Sequence, residues 1–362
     1  MNSVLTARQL NRATLARQLL LEREPMDPLL AIERLGGLRS QTPQTWYLGL
    51  WGRLHPFDPE EVGDLLTGRQ AVRISSLRGE VHTLSAADAL WLRPLLGPVI
   101  TRTVEGIADS AARIDQRLLA RAARAVLESE PLSLTTLGKR LQQRWPNHDA
   151  AVLAQIACSR LALVQIPPRG VWRRNGPKLY TTIEKWLAKP LTNAPLERLA
   201  MRYLAAYGPA TAADCSAWCG LDGLDEVFAR LKPDMAVFEA EDGRELLDLP
   251  DAPRPDADTP APARLLYAHD NLLSAHADSS RFHRPSGPPP PREDGLTPGA
   301  VLLDGIVRGG WLLGRDGTRV IIDITRVGRY TRAETDAVTE EAQRLLEFAA
   351  PSAEHEVRFS AR

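Results

Sequence analysis

The chain has 362 residues, 44% of them hydrophobic and 25% charged, which is enough apolar material for one large core or several smaller ones and excludes a disordered or collagen-like chain. Its longest uncharged stretch, residues 40–52, falls short of the roughly 20 apolar residues of a spanning helix, and Arg8, Arg12 and Arg17 interrupt the apolar block of a signal peptide, so a cytoplasmic protein is expected. The 45 basic and 45 acidic residues cancel, yet residues 1–200 carry +9 and residues 201–362 carry −9, which leaves room for a local anion-binding face.

In chain order, the pattern predicts helices over residues 6–22, 28–35 and around 47–54, then two strands, 71–77 and 80–84, flanking Arg78-Gly79. A second set follows connecting helices and is the clearest. Leu134, Leu137, Leu141 and Trp145 recur at helical spacing, Pro146-Asn147 breaks the helix, and Val152, Ile156 and Ala157 carry another that ends near Leu161. Strands at 163–166 and 179–182 then enclose an Arg-rich loop. Helix, turn, helix and hairpin in about 55 residues is the order of a winged helix. A third set has helices near 196–204, 212–218 and 224–231, and strands 235–240 and 245–249 around Asp242-Gly243, a hairpin-turn dipeptide.

Beyond Leu249 come proline-rich stretches, including residues 285–291, strand-like runs at 264–267, 300–307, 310–313 and 319–325, and an amphipathic helix over 332–348. The expected fold is therefore α+β and mainly helical: three tandem winged-helix motifs and a separate, small, β-rich C-terminal cap with a terminal helix. The corresponding segments are residues 1–130, 131–192, 193–250 and 251–362.

The loop between the second pair of strands gathers Arg169, Arg173, Arg174 and Lys178 around Trp172. Cations neutralise phosphates, and an aromatic among them can pack on a sugar or base; the alternative is a solvated loop with a packed tryptophan. Arg73 and Arg78 of the first strand pair join this DNA-contact set. Other chemistry-bearing groups read as structural. Cys158, Cys215 and Cys219 are expected to be buried thiols, Asp270, His276 and Asp278 local caps with no metal, and Glu340-Glu341 a solvated helix face with Arg344 in reach. Gly309-Gly310 and Gly314 lack the strand-to-helix context of a nucleotide loop.

Taken in order, Leu35-Gly36-Gly37-Leu38-Arg39-Ser40-Gln41, Leu50-Trp51-Gly52-Arg53-Leu54, Leu77-Arg78-Gly79-Glu80-Val81-His82-Thr83-Leu84, Tyr207-Gly208-Pro209-Ala210, His269-Asp270-Asn271-Leu272-Leu273 and Leu303-Asp304-Gly305 with Trp311 resemble the winged-helix DNA glycosylases of the AlkZ and YcaQ type. The resemblance covers nearly the whole chain. It implies a C-shaped molecule whose winged helices line a DNA channel, with a Gln-x-Gln or Gln-x-Asp motif at its base, acting on bulky alkylated purines and interstrand crosslinks. It further implies catalytic positions at Arg39, Gln41 and His82, no metal or cofactor, no membrane, and a monomer bound to double-stranded DNA. An N7-alkylated purine is already cationic, so the enzyme has to position water and stabilise an oxocarbenium-like sugar.

Here the first motif position is Arg39, and only Gln41 matches. A guanidinium accepts no hydrogen bond, and its charge opposes a cationic transition state, so Arg39 is read as a phosphate ligand and Gln41 as the group that orients water. His82 either contacts the phosphate beside the lesion or orients water; the alternative is a strand histidine satisfied by hydrogen bonds. A non-catalytic DNA binder of the same fold, shielding damage or regulating transcription, is the competing function.

Overall fold

The computed structural model describes residues 3–108, 114–283 and 297–361. The proline-rich stretch 285–291 lies outside them. Among the described residues the chain is α+β, with fifteen α-helices and three sheets. No helix among them is long and apolar enough to cross a membrane.

Polar side chains start the helices. Thr6, Thr211 and Thr331 each form reciprocal capping boxes with the residue three positions on, and Asp27, Ser133 and Asp149 accept from the first-turn amides. The helix predicted over 6–22 is shorter, Ala7–Arg17, because the chain reverses at Leu19, whose φ is +56°. In the connecting helix Gln116–Ser129, Leu119, Ala123 and Leu127 repeat every four residues and pack on Leu137, Leu141, Leu153 and Ile156.

The first two predicted hairpins do not stand apart. They merge into one five-stranded antiparallel sheet in the spatial order Leu38–Arg39, Val81–Ser85, Ala71–Ser75, Leu163–Gln165, Tyr180–Thr182. The join is short: Arg73 lies opposite Gln165 and Ile74 opposite Val164. The third hairpin, Ala236–Ala240 with Glu245–Asp248, gains Ser3–Leu5 as a parallel edge strand. Its turn has Gly243 at φ +83°, as Asp242-Gly243 predicts.

The C-terminal sheet runs Glu354–Ala361, Arg319–Arg326, Ile306–Asp316, Gly299–Leu303, Arg264–Leu266. The run 300–307, predicted as one strand, is two strands around a turn at Asp304-Gly305, both at positive φ. Glu354–Ala361 pairs in parallel with Arg319–Arg326, and the helix Arg332–Ala349 supplies the crossover such a pair requires. Nor is the cap separate. Trp46, Tyr47 and Leu50 of the helix Thr45–Trp51 share one core with Tyr267, Val301, Trp311, Ile322 and Leu345. The face Glu340-Glu341, expected in solvent, is split for the same reason: Glu340 is exposed, whereas Glu341 is buried with Arg23 Nη2 at 2.8 Å.

Candidate active site

The segment bearing Arg39 and Gln41 is placed by close backbone packing. Gly36 and Gly37 both adopt positive φ, and a Cβ on Gly37 would meet Leu84 Cδ2 at 2.4 Å, so only glycine lets the chain descend against Val81–Ser85. Leu38–Arg39 then pairs with that strand, Arg39 opposite His82, and Ser40 N donates to Val81 O at 2.8 Å. Ser40 is buried and Gln41 exposed. The fully buried Trp46 and Tyr47 of the next helix fix the other end of this short bend. Gln41 carries no hydrogen bond to another described residue, so its amide is free to hold water or a substrate.

Arg39 is not free. Its Nη2 lies 2.6 Å from Glu80 Oε1, and Arg78 Nε stands 3.4 Å from Glu80 Oε2. The expected phosphate ligand is thus already paired with a carboxylate. Burial lowers the Arg39 pKa, with Glu80 opposing the shift and Arg78 adding to it. Arg78, at φ +54° in the turn before the strand, also donates to Trp218 O and, at 3.1 Å, to Asn271 Oδ1. Tyr267 donates its hydroxyl to Arg39 O at 3.1 Å.

His82 is fully buried, which rules out the expected phosphate contact in this conformation. Its Nδ1 is 3.2 Å from Glu80 O, and Nε2 has no partner. Burial, reinforced by the charge of Arg78, pulls its pKa down to about 3, so the imidazole is neutral near neutral pH.

The basic loop lies alongside. Gln44 ties it to the candidate segment, donating to Val171 O and Arg174 O, both at 3.3 Å, and accepting from Arg173 N at 2.8 Å. Tyr47 Oη donates to Gly170 O at 3.0 Å and accepts from Trp172 N at 3.1 Å. Trp172 takes the packed alternative, its ring 5.1 Å from Tyr47 and stacked 5.4 Å from Phe348. Arg73 is likewise turned inward: only 1% exposed, it donates to Gln165 Oε1 at 2.9 Å and to Ser40 O at 2.6 Å. Burial and nearby Arg169 lower its pKa to about 10. It cannot grip DNA, but it holds Ser40 to the shared sheet. Arg173, Arg174 and Lys178 are exposed, and Arg169 is half-buried. Arg173 nonetheless donates to Ala349 O at 2.9 Å.

Four residues of the site carry no assigned role in the sequence, though they fall within its landmark segments and strand-like runs: Glu80, His269, Tyr267 and Asn271. Glu80 sits two residues before His82, the β-strand period that returns side chains to one face, and that spacing could have singled it out. His269 occupies the left-handed region at φ +68°, uncommon for a non-glycine residue. Its pKa is lowered by burial and then by Arg39, with Glu80 opposing. Nothing in the sequence brings residue 269 to residue 39.

The remaining candidates are occupied elsewhere. Asp270 forms a bidentate pair with Arg53, both distances 2.9 Å, and His276 Nε2 is 3.0 Å from Tyr207 O. Asp278 caps Ser280 and pairs with Arg244. Cys215 and Cys219 are buried and free, Cys158 half-buried and free. Gly309, Gly310 and Gly314 lie within the strand Ile306–Asp316.

The resulting site joins the Arg39–Glu80 pair, whose charges His269 feels, to the segment bearing Gln41, with the basic loop tied to that segment through Gln44. No curated protein matches the chain significantly. Among solved structures, the DNA glycosylase AlkZ of Streptomyces sahachiroi is similar in fold, with a TM-score of 0.73 and 21% identity over 99% of this chain and 100% of that one. The family model of AlkZ-like DNA glycosylases matches residues 32–348, a span that takes in the Gly36-Gly37 descent, the Arg39–Glu80 pair, the basic loop and the His269 turn. The chain belongs to the AlkZ-like DNA glycosylase family.

Proposed function

We propose that the protein hydrolyses the N-glycosidic bond of bulky alkylated or crosslinked purines in double-stranded DNA. The observation that carries this reading is the clamp by Gln44, three residues after Gln41, which ties an exposed cationic loop to the segment that bears Arg39 and Gln41. Phosphate-binding charge and a group able to hold water then address neighbouring atoms of one nucleotide. Residues 1–130, 131–192 and 193–250 act as three winged helices along a C-shaped channel, with the remainder as a cap. An open channel suits bulky adducts, which are hard to flip into a closed pocket. The protein works as a cytoplasmic monomer, without metal or cofactor.

Gln41 orients the water in this reading, and Arg174 and Lys178 hold the backbone. The test is release of free N7-alkylguanine from alkylated or crosslinked duplex by the purified protein. Binding without release from any such substrate would leave the second reading, a damage-shielding or regulatory DNA binder, which the arginine at the first motif position favours. Alkaline cleavage of an end-labelled duplex separates the two, since only hydrolysis leaves abasic sites.

A further inference from the structure

Resting on the hydrolytic reading, we infer that Glu80 is the carboxylate that receives the proton of the attacking water, held in place by Arg39. The geometry divides its two oxygens. Oε1 is 2.6 Å from Arg39 Nη2 and keeps a second lone pair, while Oε2 is shielded from solvent, with Arg78 Nε at 3.4 Å and no hydrogen bond. The side chain is 23% exposed, two residues before the fully buried His82, and its partner Arg39 lies two residues before Gln41 in the chain. A carboxylate with a lone pair to spare supplies what a guanidinium at position 39 cannot: an acceptor. It also offsets the positive charge of Arg39 next to a cationic base, the very feature that makes an arginine look incompatible with this chemistry.

The step balances as follows. The water oxygen bonds to C1′ of the deoxyribose as the bond from C1′ to the purine N9 breaks. The bonding pair moves onto the purine and cancels its positive charge, and the water proton passes to Glu80. The products are a neutral free base and an abasic sugar.

Arg39 is then a positioning residue, acting through Glu80. With N7-methylguanine duplex as the probe, E80Q lowers single-turnover base release by about 10²-fold or more while duplex affinity and thermal melting stay as in the wild type. E80D, which keeps the charge on a shorter stem, retains an intermediate rate. R39Q lowers the rate constant without changing affinity or its salt dependence, and adds little further loss in the E80Q background, because both changes disable one unit. Wild-type rates in E80Q would overturn the role of Glu80 and leave the glycosylase reading standing. A reduced salt dependence in R39Q would return Arg39 to phosphate binding. A wild-type protein that binds this duplex and releases no base would overturn the present inference along with hydrolysis of this lesion.

Discussion

Two arginine–carboxylate pairs, Arg53–Asp270 and Arg39–Glu80, are built differently. Arg53 and Asp270 are both about 2% exposed in their side chains, and every guanidinium nitrogen of Arg53 is engaged: Nε with Gln18 O, Nη1 with Gly49 O and Asp270, Nη2 with Asp270. Arg39 and Glu80 keep 19% and 23% exposure, and Arg39 Nε and Glu80 Oε2 have no hydrogen-bond partner. The first pair is finished; the second retains bonding capacity. They are also connected, because Asp270 lies between His269, which feels the charges of Arg39 and Glu80, and Asn271, which accepts from Arg78 and donates to Gly37 O. A completed buried pair thus holds the turn from which the incomplete one is flanked.

The comparison breaks most visibly under denaturation. Asp270→Ala leaves the Arg53 charge buried without its partner and should lower unfolding free energy by about 3–5 kcal/mol in urea titration. Glu80→Gln, at a half-open pair, should change it by less than about 1 kcal/mol. Equal losses would mean that both pairs are structural. Next in size is Trp172→Ala, which removes packing on Tyr47 and Phe348 and should cost about 2–3 kcal/mol while the salt dependence of DNA binding is unchanged. A variant as stable as the wild type but weaker on DNA would restore Trp172 to base contact.

His82 sharpens the contrast through pH. Its folded pKa, about 3, lies below the ordinary 6.5, so the unfolded chain takes up the proton first as pH falls. Stability is therefore full above about pH 6.5 and declines toward pH 3, with about 1 kcal/mol lost to this group by pH 5.5. His276, held down to about 3 by burial and then by Arg281, adds a second share. His82→Asn should flatten the acid limb by one share without abolishing it, read from melting temperature against pH. An unchanged acid limb would show that His82 is not buried in its neutral form.

Much of the fold was legible because local signals and tertiary structure agree. Leu137, Leu141, Ile156 and Ala157 at helical spacing do form the buried stripes of their helices, and Asp242-Gly243 does turn its hairpin. The failures share a cause: pairing between segments far apart in sequence. Neither the Arg73–Gln165 register that fuses two hairpins nor the parallel docking of Ser3–Leu5 leaves a periodic trace. Charge misled for the same reason. Arg12, Arg17, Arg53 and Arg73 are almost fully buried, their partners lying in Asp304, Asp248, Asp270 and Gln165. Of the site, the motif supplied Arg39, Gln41 and His82, while Glu80 became visible only once the register set it against Arg39.

That burial also reduces what the +9 of residues 1–200 can mean for DNA. A guanidinium locked in the interior releases no counterion from a phosphate, whereas Arg174 and Lys178 are exposed and Arg73 is not. Each exposed cation that meets a phosphate contributes about 0.9 to the slope of log affinity against log salt concentration. Arg174→Ala and Lys178→Ala should each reduce the slope by about that amount, and Arg73→Lys should leave it alone even if stability falls. The effect is a small one, yet it separates the two kinds of arginine by location rather than by number. Equal slopes in all three variants would place the gripping face elsewhere than the loop beside Gln44.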